Sequence, residues 1–466
     1  VERDDYRKAG HCLRGADIEA HKWLPQVIGG DGGQARRLKI LIASHSHPEV
    51  SNGGAEIAAF QLFRGLQERA DCEAWFLGCD RSAGADKPGA TLSQPYSDHE
   101  YLYATGPFDW FKFANRDPRF RGEIERLFTD LAPDIVHFHH YINFGVEVFQ
   151  HLKRVAPDCK IVLTLHEYLA ICNHYGQMVT KGHTNLCYQA TPARCQNCFP
   201  EIGKSDFFLR KLYIERFFGM VDLFVSPSQF LAERYIAWGI PKEKMAVLEN
   251  LMPDTAAQPV PALADDGTLR LGFFGQISSL KGIDVIFDAA ALLAKDEVSA
   301  VSFEIFGDYR GQPPEFQAAF LERLGKAGAN IRFNGPYDRL RVNRLMQSVH
   351  AVLVPSIWWE NSPVVIQEAL RNRRPVICSD IGGMAEKVRD GVDGFHFAAG
   401  NPIALANLIR QILEKRSVLT DLATALPGVP ALVSGMPEYL AMYRGLTGRS
   451  DAGPGTAAEP DLRTYR

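Results

Sequence analysis

The stretch HAVLVPSIWWENSPVVIQEALRNRRPVICSDIGGMAEKV carries the densest set of groups able to do chemistry, and it runs strand, loop, helix, strand, glycine loop. Ser362 and Pro363 mark a helix start, with the serine as N-cap and the proline as first helical residue. The amides of Val364 and Val365 then open toward an anion or a sugar hydroxyl. Glu360 lies just before this helix and Glu368 within it, so both carboxylates can reach one small molecule lying over the helix N-terminus. Two glutamates at this spacing are, by themselves, a loop charge and a solvated helix carboxylate. The surrounding pattern makes them informative.

A second constellation is GFFGQISSLKGIDVIF, in which a strand ends at Gly275 and a helix begins near Gly282. Lys281 stands at that helix N-terminus, where its ammonium and the helix dipole both favour a diphosphate. In the N-terminal half, SHSHPEVSNGGAEIAAF places Gly53 and Gly54 at the opening of a helix, where a ligand can approach backbone amides closely. No GxGxxG is present, so this is not the dinucleotide fingerprint. His166 stands at the end of the apolar run IVLTLHEY, a place that projects toward a cleft. His137, His139 and His140 end another strand with no acidic ligand adjacent and read as structural. Cys172, Cys187, Cys195 and Cys198 share one irregular segment ending in CQNC, which leaves a structural zinc site, free thiols and disulfides all open.

With these residues in this order, the chain resembles the large retaining glycosyltransferase family numbered four, whose GT-B fold sets two Rossmann-like doubly wound lobes around a cleft. Glu360 and Glu368 match its two glutamates with seven residues between them. The resemblance implies that Glu360 faces the donor sugar, that Glu368 hydrogen-bonds the nucleotide ribose, and that Asn361, Ser362, Pro363 and Val364 line the same donor site. It further implies that His166, followed by the acid Glu167, contacts the donor sugar, and that Gly53 and Gly54 line the cleft near the donor phosphates and the acceptor. Where the family has Gly-Arg before its Lys-Gly, this chain has Gln276, which can donate a hydrogen bond but cannot neutralise charge. Lys281 is then the cation left for the diphosphate. The implied reaction moves a hexose from a UDP- or GDP-sugar to a saccharide or lipid-linked saccharide with retention, with no cofactor and no metal, and with Glu360, His166 and Lys281 as catalytic residues. The resemblance covers roughly residues 38–447, including GMPEYLAMY, which is similar to the family's C-terminal helix packing back on the first lobe.

The elements that must position these groups follow from hydrophobic pattern. LKILIA, DIVHFHH, KIVLTLHEY, VDLFVSPS and KMAVLEN read as buried parallel strands separated by helical or irregular sequence. After a stretch rich in Pro, Ala and Asp the grammar restarts with LRLGFFG, VSFEIFG, IRFNG, HAVLVPS and PVICSD. The expected division is an N-terminal extension 1–37, an acceptor-side lobe 38–252, a linker 253–267, a nucleotide-sugar lobe 268–430, a returning helix 431–447 and a tail 448–466.

A chain of 466 residues, 46% hydrophobic and 23% charged, has the composition of a globular protein too long for one core. Its net charge of -4 argues against a nucleic-acid coat. Nine scattered cysteines, no apolar run near ~18 residues and no signal-peptide order point to the cytoplasm. Residues 108–128 and 206–222 mix aromatic residues with Lys112, Arg121, Arg210 and Lys211, which suits either the inner face of the plasma membrane or ordinary amphipathic helices. A sugar-nucleotide epimerase of the same fold and a non-catalytic nucleotide-sugar-binding protein are the alternatives. A nicotinamide dehydrogenase is disfavoured by the missing glycine fingerprint.

Overall fold

Apolar runs of four to six residues, too short for helices and bounded by loops, become the strands of two sheets, each covered by helices. The computed structural model describes residues 36–51, 53–81, 91–182, 185–253, 267–426 and 432–449. The extension 1–37, the linker 253–267 and the tail 448–466 therefore lie, but for a few bordering residues, outside the described residues.

The first lobe contains β1 (Leu38–Ala43), β2 (Cys72–Asp80), β3 (Leu92–Ser97), β4 (Glu100–Ala104), the small hairpin β5 (Phe108–Asp109) and β6 (Ala114–Asn115), then β7 (Ile135–Phe138), β8 (Lys160–Thr164), β9 (Leu223–Ser226) and β10 (Met245–Val247). Its main sheet runs β10-β9-β8-β7-β1-β2-β4-β3, parallel throughout except for the edge strand β3. The second lobe contains β11 (Leu269–Phe274), β12 (Val301–Phe306), β13 (Ile331–Gly335), β14 (Ala351–Val354), β15 (Val376–Ser379) and β16 (Gly394–Phe397). It forms one parallel sheet in the order β13-β12-β11-β14-β15-β16, the doubly wound order 3-2-1-4-5-6 counted within the lobe. The ten apolar runs all form strands, and β2, β4, β3 and β16 join beyond them, polar or glycine-interrupted residues having broken their pattern.

In such sheets ligands bind beyond the carboxyl ends of the strands, where the winding direction reverses. The reversal lies between β1 and β7 in the first lobe and between β11 and β14 in the second. Chemistry is therefore confined to the loops after those strands. Each lobe has its own core, Leu41, Phe138 and Leu163 lying in one and Leu271, Ile305 and Leu353 in the other.

The last helix, Leu432–Thr447, packs on the first lobe, where Met436, Tyr439, Leu440 and Tyr443 join the core layer of Ile40, Phe63 and Phe76. His137, fully buried, connects to it through Nδ1 to the Tyr443 hydroxyl (2.6 Å), while Nε2 meets Thr164 Oγ1 (2.6 Å). Burial, aided by nearby His166, holds His137 down to about 3, so its ring is neutral and divides its two nitrogens between one donated and one accepted bond.

The aromatic-basic segments need one correction. Arg210 is only 3% exposed, and its guanidinium donates to the carbonyls of Phe111 (2.7 Å), Ala170 (2.8 Å) and Leu169 (2.5 Å). A cation satisfied by three interior carbonyls is not available to lipid phosphates. Phe113, Phe120, Phe128, Phe207, Phe217 and Phe218 likewise fill the core. What α-helix Lys204–Phe218 does present outward is Phe208, Leu209 and Leu212. Among the described residues no helix is long and apolar enough to cross a membrane.

Replacing Tyr443 by phenylalanine leaves one buried ring nitrogen of His137 unpaired and is expected to cost ~1–3 kcal/mol. Tyr443→Ala also opens a cavity and should cost ~3–5 kcal/mol. Chemical denaturation followed by tryptophan fluorescence checks both, and equal midpoints for the wild type and both variants would contradict the docking role assigned to this helix.

Candidate active site

After β11 the chain passes through Gly275, the exposed Gln276 and the buried Ile277 to Lys281 and Gly282, which caps the helix Ile283–Ala291. Gly282 has φ +76, and a Cβ there would fall 1.8 Å from the carbonyl oxygen of Pro355. Only glycine lets the loop after β11 lie this close to the loop after β14. The contact brings Lys281 Nζ to 2.5 Å from Glu360 Oε1, an oxygen that also accepts from Ser356 Oγ (2.8 Å) and Trp358 Nε1 (2.9 Å). The ammonium also lies 5.6 Å from the centre of the Trp358 ring. Glu360 is buried, and these three donors offset the cost of taking a carboxylate out of water.

The helix expected to start at Pro363 begins one residue later, at Val364, with Pro363 rather than Ser362 in the capping position, in extended conformation. Ser362 is therefore not the N-cap, because its hydroxyl is taken by the other lobe, where it donates to Glu249 Oε1 (2.7 Å). Glu249 also receives Lys387 Nζ on Oε2, and its backbone carbonyl accepts from Tyr439 of the last helix (3.2 Å). Nearby, Glu386 accepts the backbone N–H groups of Gln229 and Phe230 (2.8 Å each), closing the N-terminus of helix Gln229–Trp238. Trp359 inserts its indole among Phe230 and Tyr188 of the first lobe. Asn361 Nδ2 donates to the carbonyl of His166 (2.8 Å). Side chains from both lobes thus build the cleft.

On the first lobe, Gly53 caps helix Gly54–Gln67, and a Cβ at Gly53 would fall 2.3 Å from Glu56 Oε2. The buried Glu56 carboxylate lies under this loop, paired with His45 Nε2 (3.3 Å) and Ser51 Oγ (3.0 Å). Burial raises the Glu56 carboxyl, but the His45 and Ser51 contacts outweigh it and leave it below the usual range. A Cβ at Gly54 would be in contact with Val364 of the second lobe at 3.4 Å. His166 Nε2 meets His139 Nδ1 (3.1 Å), and burial with nearby His45 holds His166 down to about 3. His140 Nε2 lies 3.3 Å from Glu167 Oε1, and burial pushes the Glu167 carboxyl up to about 8.

A cavity of about 410 Å³ between the lobes is lined by Gly53, Gly54, His166, Asn361, Ser362 and Val364 of the sequence-derived set. Glu360, Lys281, Gln276, Pro363 and Glu368 do not line it. Glu360 and Lys281 are joined to it through Asn361, and Glu368 is buried in the helix behind it. The cavity also takes in His45, Glu56, His140, Glu167 and Asn250, which sequence reasoning did not single out as site residues. Their signal was position: each lies in a loop or helix start just beyond the carboxyl end of a parallel strand. His140, read as structural, is one of the cavity residues, whereas His137 is bound into the fold. Cys172, Cys187, Cys195 and Cys198 surround a separate cavity as free thiols, and among the described residues no group of three or more His, Cys, Asp or Glu is arranged to hold a metal.

Glu167 gives a pH signature. A carboxyl whose ordinary value of 4.5 is raised to about 8 in the folded state stabilises the fold fully below 4.5, and that contribution is lost as pH rises through 8. Glu167→Gln should flatten this part of the stability profile between these limits. A thermal-melt series against pH that keeps its slope in the variant would assign the titration to another group.

The family model described as Glycosyltransferase Family 4 matches residues 52–253, and the one described as Glycosyl transferases group 1 matches residues 255–426. Glycogen synthase of Thermodesulfovibrio yellowstonii is 27% identical over 40% of this chain and 37% of its own length. D-inositol 3-phosphate glycosyltransferase of Frankia alni is 30% identical over 39% of this chain and 46% of its own length. The chain thus spans less than half the length of either relative. Among solved structures, Anabaena HepE in complex with UDP and glucose superposes with a TM-score of 0.61 at 18% identity, covering 87% of this chain and 99% of that one, which shows a shared fold. Two adjoining family matches that together run from residue 52 to residue 426, on two doubly wound lobes facing one cleft, establish that the chain belongs to the family-4-like glycosyltransferases of GT-B fold.

Proposed function

We propose that the protein transfers a hexose from a UDP- or GDP-sugar to a saccharide or lipid-linked saccharide acceptor with retention of anomeric configuration, in the synthesis of a surface polysaccharide or glycoconjugate. The observation that carries this reading is the run of contacts from Lys281 through Glu360 and Asn361 to His166, which links the second lobe's switch point to the cavity between the lobes. Such a reaction breaks the bond from the anomeric carbon to the phosphate oxygen, so positive charge develops on the sugar and negative charge on the departing diphosphate. Lys281 and the N-terminus of helix Ile283–Ala291 supply positive potential for the diphosphate. Gln276 lies exposed beside them and offers a hydrogen bond where the family's arginine would offer charge.

The first-lobe side contributes a different environment. His166, neutral at physiological pH, can donate or accept one hydrogen bond at the sugar without adding charge. Attack by the acceptor on the face the diphosphate leaves would give retention without an enzyme nucleophile. Asn361 and Ser362 bond the second lobe to the first beside the cavity, and closure of the lobes over a bound donor would keep water from competing with the acceptor. The glycogen synthase relative supports a saccharide as acceptor, and the HepE complex supports a uridine nucleotide as donor.

Thermal stabilisation by a panel of UDP- and GDP-sugars, followed by product analysis with soluble and lipid-linked acceptors, tests the reading. Donor turnover into an isomer without any acceptor would favour the epimerase instead. Glu368→Ala is expected to weaken donor binding by ~1.5–3 kcal/mol. Lys281→Ala should weaken sugar nucleotide and nucleoside diphosphate alike while sparing the free nucleoside. Glu360→Gln should lower turnover more than nucleotide affinity. Because Lys281 and Glu360 share a partly buried ion pair, their double variant should lose less stability than the two single losses added together. Wild-type transfer in all of these variants would end the assignment.

An acceptor linked to lipid would bring the protein to the inner face of the membrane. The outward face of helix Lys204–Phe218 supports this, with Phe208, Leu209 and Leu212 exposed and Lys204 and Arg216 at its two ends. Binding to liposomes containing acidic lipid should fall with added salt and be lost when the three apolar residues are changed to serine. No binding at low salt, with efficient transfer to a soluble acceptor, would leave a soluble saccharide as the substrate.

A further inference from the structure

A second and larger groove, of about 900 Å³, opens on the first lobe beside the cleft. Its wall residues come from the segments that follow three parallel strands of the sheet, the neighbours β2 and β4 and, two strands further along, β8. Arg81 follows β2, Trp110 and Phe113 follow β4, and Tyr175 and Lys181 follow β8. It therefore shares the ligand-binding end of the sheet with the cavity between the lobes. The segment after β8 forms part of both: His166 and Glu167 line the cavity, and the Glu167 carboxylate lies against Gly176, beside Tyr175 of the groove.

The lining has a definite chemistry. Arg81 lies 4.9 Å from the centre of the Trp110 ring, and Lys181 Nζ lies 4.6 Å from the centre of the Phe199 ring. Trp110 is 45% exposed and Tyr175 82%, so two flat rings are held open to solvent, Trp110 beside the Arg81 guanidinium. No aspartate or glutamate is among the described residues that line the groove. A wall with two cations and no carboxylate favours an anion, and exposed ring faces favour the apolar C–H faces of sugar rings.

The groove is also built rather than incidental. Buried Arg210 ties the loop of Phe111 to the loop of Leu169 and Ala170 through three backbone carbonyls, fixing the two sides relative to each other. Phe113 and Tyr175 both hold positive φ, +56 and +49, a conformation that side chains of this size adopt at a cost. That cost is retained on both sides of the groove.

We infer that this groove binds the acceptor, and that the acceptor is a saccharide carrying an acidic group, its sugar rings stacked on Trp110 and Tyr175 and its acid held by Arg81 and Lys181. This rests on the reading of the cleft as a glycosyl-transfer site, and it adds the class of acceptor. The acid pairs with guanidinium and ammonium groups that already lie on aromatic faces, and the saccharide runs from there toward the cavity along the segment after β8.

The probe is a tetrasaccharide of alternating glucuronic acid and N-acetylglucosamine, compared with the same chain after reduction of its carboxylates to alcohols, both titrated against the full protein at low salt by ligand-observed NMR. The acidic form should bind ~10-fold more tightly, and the difference should shrink in ~0.5 M salt, where charges are screened over a few ångströms. The double variant Arg81→Gln, Lys181→Gln should bring the two affinities to within ~2-fold, because it removes the charged partners but not the rings. Trp110→Ala and Tyr175→Ala should weaken both forms together. UDP affinity, measured on the same samples, should stay at the wild-type value in all these variants. Equal affinity for the two tetrasaccharides, a preference that survives the double variant, or no binding of the acidic form at ~10 mM would overturn the inference, the last being far weaker than a subsite of this size supports. Failure of the wild type to bind any UDP- or GDP-sugar would instead count against the reading of the cleft, since the tetrasaccharide titration does not depend on donor.

Discussion

The carboxylate of Glu249 is the interaction on which the shape of the cleft depends. It lies just beyond the last strand of the first lobe and takes a hydrogen bond from Ser362 and an ion pair from Lys387, both in the second lobe. Its backbone carbonyl accepts from Tyr439, so the last helix is tied to the same point. One residue thus holds the start of the helix at Val364 and the glycine-rich helix that contains Lys387 through its half-buried carboxylate, and the chain's final helix through its backbone. Partly desolvated, the pair is stronger than a surface ion pair, and with partners on separate segments it gives the lobes a defined register rather than a loose hinge.

Around that point the two sides of the cleft divide the electrostatic work. The second lobe places its charge at the switch point, with Lys281 and Glu360 neutralising each other and held by Ser356 and Trp358. The first lobe keeps most of its histidines and Glu167 neutral, since His137, His139, His140 and His166 are held down by burial and Glu167 is raised by it, while Glu56 beneath the glycine loop stays ionised through its His45 and Ser51 contacts. Histidines kept neutral on one side and a paired charge on the other suit the proposed reaction, in which a cationic sugar parts from an anionic diphosphate, since preorganised groups need little reorganisation as charge develops. The ion pair between Lys281 and Glu360 is also a reserve of charge. On the proposed reading an incoming diphosphate would compete with Glu360 for Lys281, which would couple donor binding to the placement of the glutamate.

Much of this was legible in the residues themselves. Ten mostly apolar runs gave ten parallel strands, because an interior strand covered on both faces must be apolar along its length whatever it packs against, the half-exposed edge strand β13 being the exception. The strands β2, β3, β4 and β16 were not, since cysteine, glycine and polar positions broke the pattern and only pairing with neighbours made them strands. The residues around the cleft were legible for a similar reason: Gly53, Gly54, His166 and Lys281 lie in the segments between a parallel strand and the next helix, and the ends of such strands define where ligands bind. The start of the helix after Ser362 was misplaced because capping is a local rule, and a carboxylate more than a hundred residues away took the hydroxyl that would have capped.

The sequence by itself determined the fold class, the family and the side of each lobe on which chemistry could occur, because hydrophobic period, glycine placement and motif order act over short distances along the chain. Only the tertiary structure decided which groups meet. It joined Lys281 to Glu360, brought His45, Glu56, His140 and Glu167 into the cavity, turned Arg210 inward, and gathered Arg81, Trp110, Tyr175 and Lys181 from three separate loops into one groove. Such meetings depend on the order of strands in a sheet and on the packing of one lobe against another. A contact between distant segments leaves no period or spacing in the chain from which it could be read.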